Sequence, residues 1–273
     1  MDHQTNGPCN GTTFATQTKF NNNGKRTQAI SQVFHDIYGT ARECDLCVVI
    51  AQQTVFLQSA EWALENKTNT DCVLENYTVN ANGDQLIDML AGTHYIRPSD
   101  RWPGQSFYND VLDEINSNFQ NPFAPDVQQL IADATDDWLQ NTVKPSATAN
   151  AALAAEYNMC YGTYEGDTHL DFNKPVSAMT NDELFVWEAY WFFLQNNQWT
   201  AILLDGLNFH NSLPNGYRLN SFASIGVCTG PTQGLPQDGR PWDLWDGYDG
   251  SSPNVVGSVN AHNQYNLVSQ TKK

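Results

Sequence analysis

The chain has 273 residues, of which 40% are hydrophobic, so it can bury a sizeable core. Its 30 acidic residues outnumber its 13 basic residues and give it a net charge of −17. This charge argues against partners such as nucleic acid or anionic membrane surfaces, because both require a basic protein face. No apolar run approaches the roughly 18 residues of a membrane-spanning helix, so we expect no membrane span.

Helical periodicity dominates the pattern of apolar residues. The predicted helices cover residues 27–38, about 44–65, 84–90, 107–119, 125–139, 147–161 and 181–204. The first of them places Ala29, Ile30, Val33, Phe34 and Ile37 on one face. Residues 48–57 are so apolar that the second helix is expected to be central and buried. The predicted fold is therefore mainly α, a single compact multi-helix domain over residues 1–273.

The last part of the chain, residues 205–273, differs in composition from the helical part. It is rich in Gly, Pro, Asn and Ser and shows little periodicity. We expect this loop-rich tail to wrap irregularly around the helical body. No internal repeat or interdomain linker is visible.

Two features of the sequence are typical of secreted proteins. Acceptor triplets for N-glycosylation occur at Asn10, Asn66 and Asn76. The chain also has six cysteines, which fit an oxidising compartment and would form three disulfides if all were paired. These cysteines are Cys9, Cys44, Cys47, Cys72, Cys160 and Cys228. We therefore expect a secreted, disulfide-stabilised glycoprotein.

Cys9 follows Pro8 in a loop rich in Gly, Asn and Thr, just before the first helices. An exposed cysteine there is well placed to offer a thiolate, which is a good ligand for iron. The alternative is a loop cysteine in a disulfide. The Cys44-x-x-Cys47 pair favours two structural cysteines over a redox site, and a four-cysteine zinc site would need a second such pair.

The order of several segments resembles the fungal heme-thiolate peroxidases, the family of chloroperoxidase and the unspecific peroxygenases. The resemblance begins with Pro8-Cys9, the Asn23-Gly24-Lys25 turn and the first helix. It continues through Thr93–Arg101 and the aromatic helix from Asn181, so it covers about residues 5–200. In this family the loop cysteine is the axial heme ligand. The resemblance therefore implies a heme whose iron is bound by Cys9.

Further site residues follow from the same resemblance. It implies that Glu156 moves the proton between the peroxide oxygens, in preference to Glu165, and that His94 is a second catalytic residue. Arg97 would pair with a heme propionate. The sequence Arg97-Pro98-Ser99 replaces the acidic triplet that helps to hold magnesium in the peroxygenases, which argues against a magnesium ion here.

Two functional hypotheses follow. The first is a secreted peroxidase or peroxygenase that uses hydrogen peroxide to oxidise small organic substrates. The second is a heme-free secreted protein of the same helical fold with a binding role. The first, which we prefer, is favoured by the ordered match of segments and by a cysteine in the expected loop. The second is favoured by the even cysteine count, by Asn10 where the family has a second proline, and by the replaced acidic triplet. An absorbance spectrum of protein from a heme-supplemented secretory host would separate the two.

Overall fold

The computed structural model describes residues 17–39, 48–51, 57–67, 73–167, 170, 172, 176–213 and 216–220. The helices are α1 (Gln17–Tyr38), α2 (Leu57–Leu64), α3 (Ser106–Ser117), α4 (Pro125–Trp138), α5 (Lys144–Glu156), α6 (Asn181–Phe193) and α7 (Asn197–Ser212). A π-helical turn spans Leu139–Val143 and a 3₁₀ turn spans Val176–Ala178. The strands are β1 (Val49–Ala51), β2 (Glu65–Lys67), β3 (Val73–Asn76), β4 (Met89–Tyr95), β5 (Cys160–Asp167) and β6 (Gly216–Asn220).

The prediction of a mainly α fold is wrong, because the structure is mixed α/β. A four-stranded sheet has the strand order β1-β4-β5-β6, and β2 pairs with β3 in a separate two-stranded sheet. β1 runs parallel to β4, with Ile50 opposite Leu90, and β5 runs parallel to β6. Buried parallel strands are apolar on both faces, so a short run of this kind cannot be told from a buried helix by periodicity.

Two predicted helices were misassigned for this reason, and a third was predicted to extend too far. The predicted helix 44–65 contains β1 and the short α2 among its described residues, and the predicted helix 84–90 leads into β4. The predicted helix 147–161 ends at Glu156, after which β5 begins at Cys160. β4 is buried at every position except the intermediate Tyr95, which is the pattern of a central strand.

The described residues divide into two compact units. The first holds those up to Thr93, those of Ser146–Tyr164 and those of Asn211–Asn220. It contains α1, α2, the two-stranded sheet and most of the four-stranded sheet. Within it, Gly92 of β4 has no side chain, and the Tyr161 hydroxyl lies 2.8 Å from the point where a Cβ would stand.

The second unit holds the described residues of His94–Pro145 and Glu165–His210. It is a helical unit in which α3, α4 and α6 pack against one another. The start of α6 is fixed by a capping box, in which Thr180 and Glu183 each bond the other's backbone N–H. Large aromatic side chains fill the core, including Trp187, Tyr190, Phe193 and Trp199.

Candidate functional site

The most distinctive surface of the first unit is the apolar face of α1. Ile30, Val33, Phe34 and Ile37 are 53%, 55%, 42% and 66% exposed. Their spacing places them on one side of the helix, and Phe34 stacks on Tyr38 with ring centroids 6.2 Å apart. We call Ile30, Val33, Phe34 and Ile37 the α1 stripe. An amphipathic helix ordinarily turns such a face toward the core, so the exposure of this one needs a reason.

The reason lies on the opposite face of α1, which is polar and buried. Its buried residues are Gln17, Asn21, Gly24 and Ser31. The Asn21 amide nitrogen lies 2.9 Å from Asn66 Oδ1, and Gln17 Nε2 donates to the Lys67 carbonyl at 2.6 Å. These side-chain hydrogen bonds attach α1 to the unit by its polar side, which leaves the α1 stripe facing solvent.

Close backbone packing fixes the same orientation. A Cβ at Gly24 would lie 2.2 Å from the Ala63 carbonyl oxygen and 2.3 Å from Tyr77 Cδ2. Farther along the helix, the Ser31 hydroxyl donates to the Leu86 carbonyl. Only glycine allows α1 to lie so close to α2, so this residue selects which face of α1 points inward.

An open cleft begins at the edge of the α1 stripe. Its lining residues come from α1, from the residues just before β1 and from the segment before β4, and they are Ser31, Phe34, His35, Gly39, Val48, Gln85, Leu86 and Asp88. Phe34 belongs to both the stripe and the cleft, so the two surfaces are continuous. An apolar side chain of a bound partner could therefore enter the cleft from the stripe.

Exposed carboxylates lie beside the stripe and cleft, although the exposed Arg26 lies one turn before Ile30 on the same face of α1. Asp36 and Asp88 are exposed, and the Asp84 carboxylate lies 3.8 Å from His35 Nε2. Lys25 lies toward the other end of α1 and is neutralised by Glu75 at 2.6 Å. An apolar stripe bordered by carboxylates is suited to an apolar ligand face that carries positive charge at its edges.

His94, predicted to be catalytic, lies in the core of the second unit and is 3% exposed. Its Nδ1 shares a hydrogen bond with Nε2 of His210, which is 5% exposed. Burial first, then the charges of His210 and Lys144, hold the pKa of His94 well below its usual range. Burial lowers the pKa of His210 to about 4. Both rings are therefore neutral at pH 7.

The other nitrogen of His94, Nε2, has no hydrogen-bond partner among the described residues. It faces Gly206, where a Cβ would lie 2.9 Å away. Beside this site, Lys144 Nζ lies 2.7 Å from Asp205 Oδ2. His210 was not among the site residues predicted from the sequence. The sequence feature that points to it is Gly206, four residues earlier on the same helix face, which leaves room for the His94 ring.

The other described residues assigned to the heme site, Arg97 and Glu156, belong to different units. The Arg97 guanidinium lies over the Trp138 ring, 5.4 Å from its centroid. Glu156 is exposed at the end of α5, rather than in a tight pocket, and belongs to the first unit, whereas His94 and Arg97 belong to the second. Cys9, the predicted iron ligand, lies outside the described residues, as do Cys44, Cys47, Cys72 and Cys228. We derive no chemistry through heme from this arrangement.

The predicted modification sites differ in accessibility. Asn76 is exposed, and its Oδ1 accepts hydrogen bonds from the backbone and hydroxyl of Thr78. Asn66 is 2% exposed and hydrogen-bonded to α1, so this conformation has no room for a glycan there. Asn10 lies outside the described residues. Cys160 is an exposed free thiol, although a framework of three disulfides would require it to be paired.

Comparison with known protein families, with curated proteins and with solved structures finds no match to this chain. Within the described residues, no cluster of three or more His, Cys, Asp or Glu side chains could bind a metal ion. None of the described helices combines the length and the apolar character needed to cross a membrane.

Proposed function

We propose that this protein is a binding protein whose α1 stripe and adjoining cleft dock a cationic amphipathic helix from another polypeptide. The observation that carries the proposal is the reversed orientation of α1. Four apolar side chains at helical spacing are exposed, while the polar face of the same helix is buried. A partner helix could lay its own apolar face along such a stripe.

The charge of the chain favours a basic partner over a second copy of the protein. Two copies would bring two chains of −17 together, and Asp36 and Asp88 of each would lie near the contact. Like charges at an interface oppose association, whereas complementary charges accelerate it. The acidic border of the stripe therefore selects a partner that carries Lys or Arg beside its apolar face.

The heme-thiolate hypothesis remains an untested prediction, because its central residue, Cys9, lies outside the described residues. The described residues assigned to it give no support, since Glu156 is exposed and the His94 ring is packed against His210. The binding hypothesis rests on residues that the structure does describe.

The experiment uses a labelled helical peptide of Leu and Lys in amphipathic order, titrated with the full-length protein. A second peptide has Ser in place of Leu and retains the charge, and a third has Glu in place of Lys and retains the apolar face. We expect micromolar binding of the first peptide alone, measured by fluorescence anisotropy. Equal binding of the Ser-Lys peptide would show that charge alone is sensed and would contradict the proposal.

Two protein variants locate the binding surface. The double variant Ile30→Ser/Ile37→Ser removes two members of the α1 stripe, and we expect it to weaken peptide binding about tenfold or more. Val73→Ser is the matched control, because Val73 is 49% exposed on β3 of the same unit but is not part of the stripe. If sedimentation instead shows a dimer that the double variant dissolves, the occupant is a second copy and the basic-partner proposal fails.

A further inference from the structure

The second unit carries an unusual loop between α3 and α4. The Gln120 N–H donates to the Ile115 carbonyl, and the Asn121 N–H donates to the Asn118 carbonyl. Phe119 and Gln120 both have φ values of 60°. A hydrogen-bonded turn whose two central residues have positive φ is a type I′ turn, a position where Asn-Gly is strongly preferred.

Phe119 is a poor residue for this position by any structural criterion. A bulky side chain at positive φ strains the backbone, and the Phe119 side chain is 98% exposed, so it gains nothing from burial. Residues with a strained backbone and no compensating local contacts are found preferentially at functional sites. The turn therefore fixes a phenyl ring in solvent at a cost to the fold.

The segment around Phe119 contains no charged residue, although the Glu114 carboxylate at its edge accepts a hydrogen bond from the Asn118 amide at 2.8 Å. No Asp, Glu, Lys or Arg occurs between Glu114 and Asp126, although the chain carries a net charge of −17. Phe123, which is 50% exposed, contacts Phe192, which is 40% exposed, with ring centroids 5.1 Å apart. The loop thus forms an uncharged aromatic tip; we use the name for residues 118–124.

Five of the six backbone N–H groups of the aromatic tip donate internal hydrogen bonds, and among the described residues the N–H of Phe119 is the exception. The N–H groups of Asn118, Gln120, Asn121, Phe123 and Ala124 all donate within the α3–α4 segment. Residue 122 is proline and has no N–H. Groups bonded in this way can enter an apolar phase without losing hydrogen bonds to water, whereas a strand-like partner would need free backbone groups.

We propose that the aromatic tip inserts Phe119 into the interface of an electrically neutral lipid bilayer. Neutral lipids are favoured over anionic lipids because the strongly acidic chain is repelled by a negative surface. Aromatic rings are favourable at the boundary between headgroups and acyl chains. This inference is independent of the proposed peptide-binding function, since it rests on a different unit and different residues.

The test is flotation of the full-length protein with phosphatidylcholine vesicles, compared with vesicles that contain phosphatidylserine. We expect binding to the neutral vesicles and weaker binding to the anionic ones. Phe119→Gly should lower the partition coefficient about tenfold, the order expected for removing one phenyl side chain from an apolar contact. Because glycine tolerates positive φ, this variant should have an equal or higher urea midpoint, which separates lost binding from misfolding.

Val73→Ser is the control, because Val73 is 49% exposed on β3 of the first unit and belongs neither to the aromatic tip nor to the α1 stripe. It should bind neutral vesicles as the unaltered protein does. The proposal is overturned if the unaltered protein does not float with neutral vesicles, if it prefers anionic ones, or if Phe119→Gly binds as tightly as before. A loss of binding in Val73→Ser equal to that in Phe119→Gly would also overturn it, because the effect would then not be specific to the aromatic tip.

Discussion

Helices α1 and α6 place their apolar residues in opposite environments. α6 buries its apolar residues, among them Val186, Trp187, Tyr190 and Phe193, which are all 0% exposed. α1 exposes Ile30 and Ile37 and buries polar or small residues instead. The difference teaches that an apolar face does not by itself decide which side of a helix packs inward.

Local contacts decide the orientation of α1. Gly24 permits a backbone approach that no other residue allows, and the amides of Gln17 and Asn21 bond within the unit. The inner face of α6 includes a buried hydrogen bond from the Tyr190 hydroxyl to the Arg101 carbonyl at 3.1 Å, but it consists mainly of aromatic rings, and their burial determines its position. Apolar burial is the main stabilising term for α6, whereas α1 depends on shape and hydrogen bonds.

The largest effect should come from the aromatic core under α6. Trp187 is fully buried, so Trp187→Ala should lower the free energy of unfolding by about 3–5 kcal/mol, through lost burial and the cavity that remains. Urea denaturation followed by circular dichroism measures this loss. Phe192→Ala, on the same helix but 40% exposed, should cost less than about 1 kcal/mol. Similar losses in both variants would mean that α6 is not packed as described.

The next largest effect is a pH dependence of stability caused by His94 and His210, two polar side chains buried in the second unit. In the unfolded chain, each histidine binds a proton as the pH falls through about 6.5. In the folded protein, His210 stays neutral until the pH approaches its lowered pKa of about 4. The contribution of these neutral histidines to the free energy of unfolding is therefore fully present above pH 6.5 and is lost as the pH falls toward 4. For His210 alone the loss is about 3 kcal/mol, and the lowered pKa of His94 acts in the same direction.

Urea midpoints at pH 7 and pH 4.5 test this dependence. His210→Gln should flatten the decrease between the two pH values relative to the unaltered protein. Lys144 and Asp205 also lie near the pair and form an ion pair 2.7 Å apart, so Lys144→Met serves as the control for their contribution. An unchanged pH dependence in His210→Gln would show that other groups cause the acid sensitivity.

The sequence predicted the helices of the second unit well. α3 and α4 match predicted helices closely, because their apolar residues follow a clear helical period and Pro125 marks the first turn of α4. The aromatic helix from Asn181 is also present, although it breaks after Phe193 into α6 and α7. These elements are defined by local pattern, so the sequence alone contains the information.

The sheet and the candidate site depend on contacts between distant segments, which local patterns do not show. β1 pairs with residues about 40 positions away, at Met89–Ala91. The α1 stripe was visible as a pattern, but its exposure depends on Gly24 meeting Ala63 and Tyr77. Likewise, His94 was singled out from sequence, but its pairing with His210 joins positions 116 residues apart.

A smaller effect is expected from Gly24→Ala, which tests the close approach of α1 to α2. The added methyl group must displace the Ala63 carbonyl or the Tyr77 ring, at a cost of about 1–3 kcal/mol. Because the clash with Ala63 involves a backbone atom, we expect the cost to lie in the upper part of this range, above the roughly 1 kcal/mol that alanine gains over glycine in a helix. Asn22→Ala, at an exposed position of α1, should leave the urea midpoint equal or slightly higher. Stabilisation by Gly24→Ala would remove the argument for the orientation of α1.

The smallest effect on stability should come from the α1 stripe itself, and this prediction completes the contrast with α6. Ile37 is 66% exposed, so Ile37→Ser removes little buried area and should change the free energy of unfolding by less than about 0.5 kcal/mol. Replacing an equally apolar residue of α6 should cost several times more, as Trp187→Ala does. If α1 instead turned the stripe toward its own unit, Ile37→Ser would cost about 2 kcal/mol or more. A loss of Leu-Lys peptide binding without a change in urea midpoint would therefore place Ile37 on a surface that serves binding and contributes little to folding.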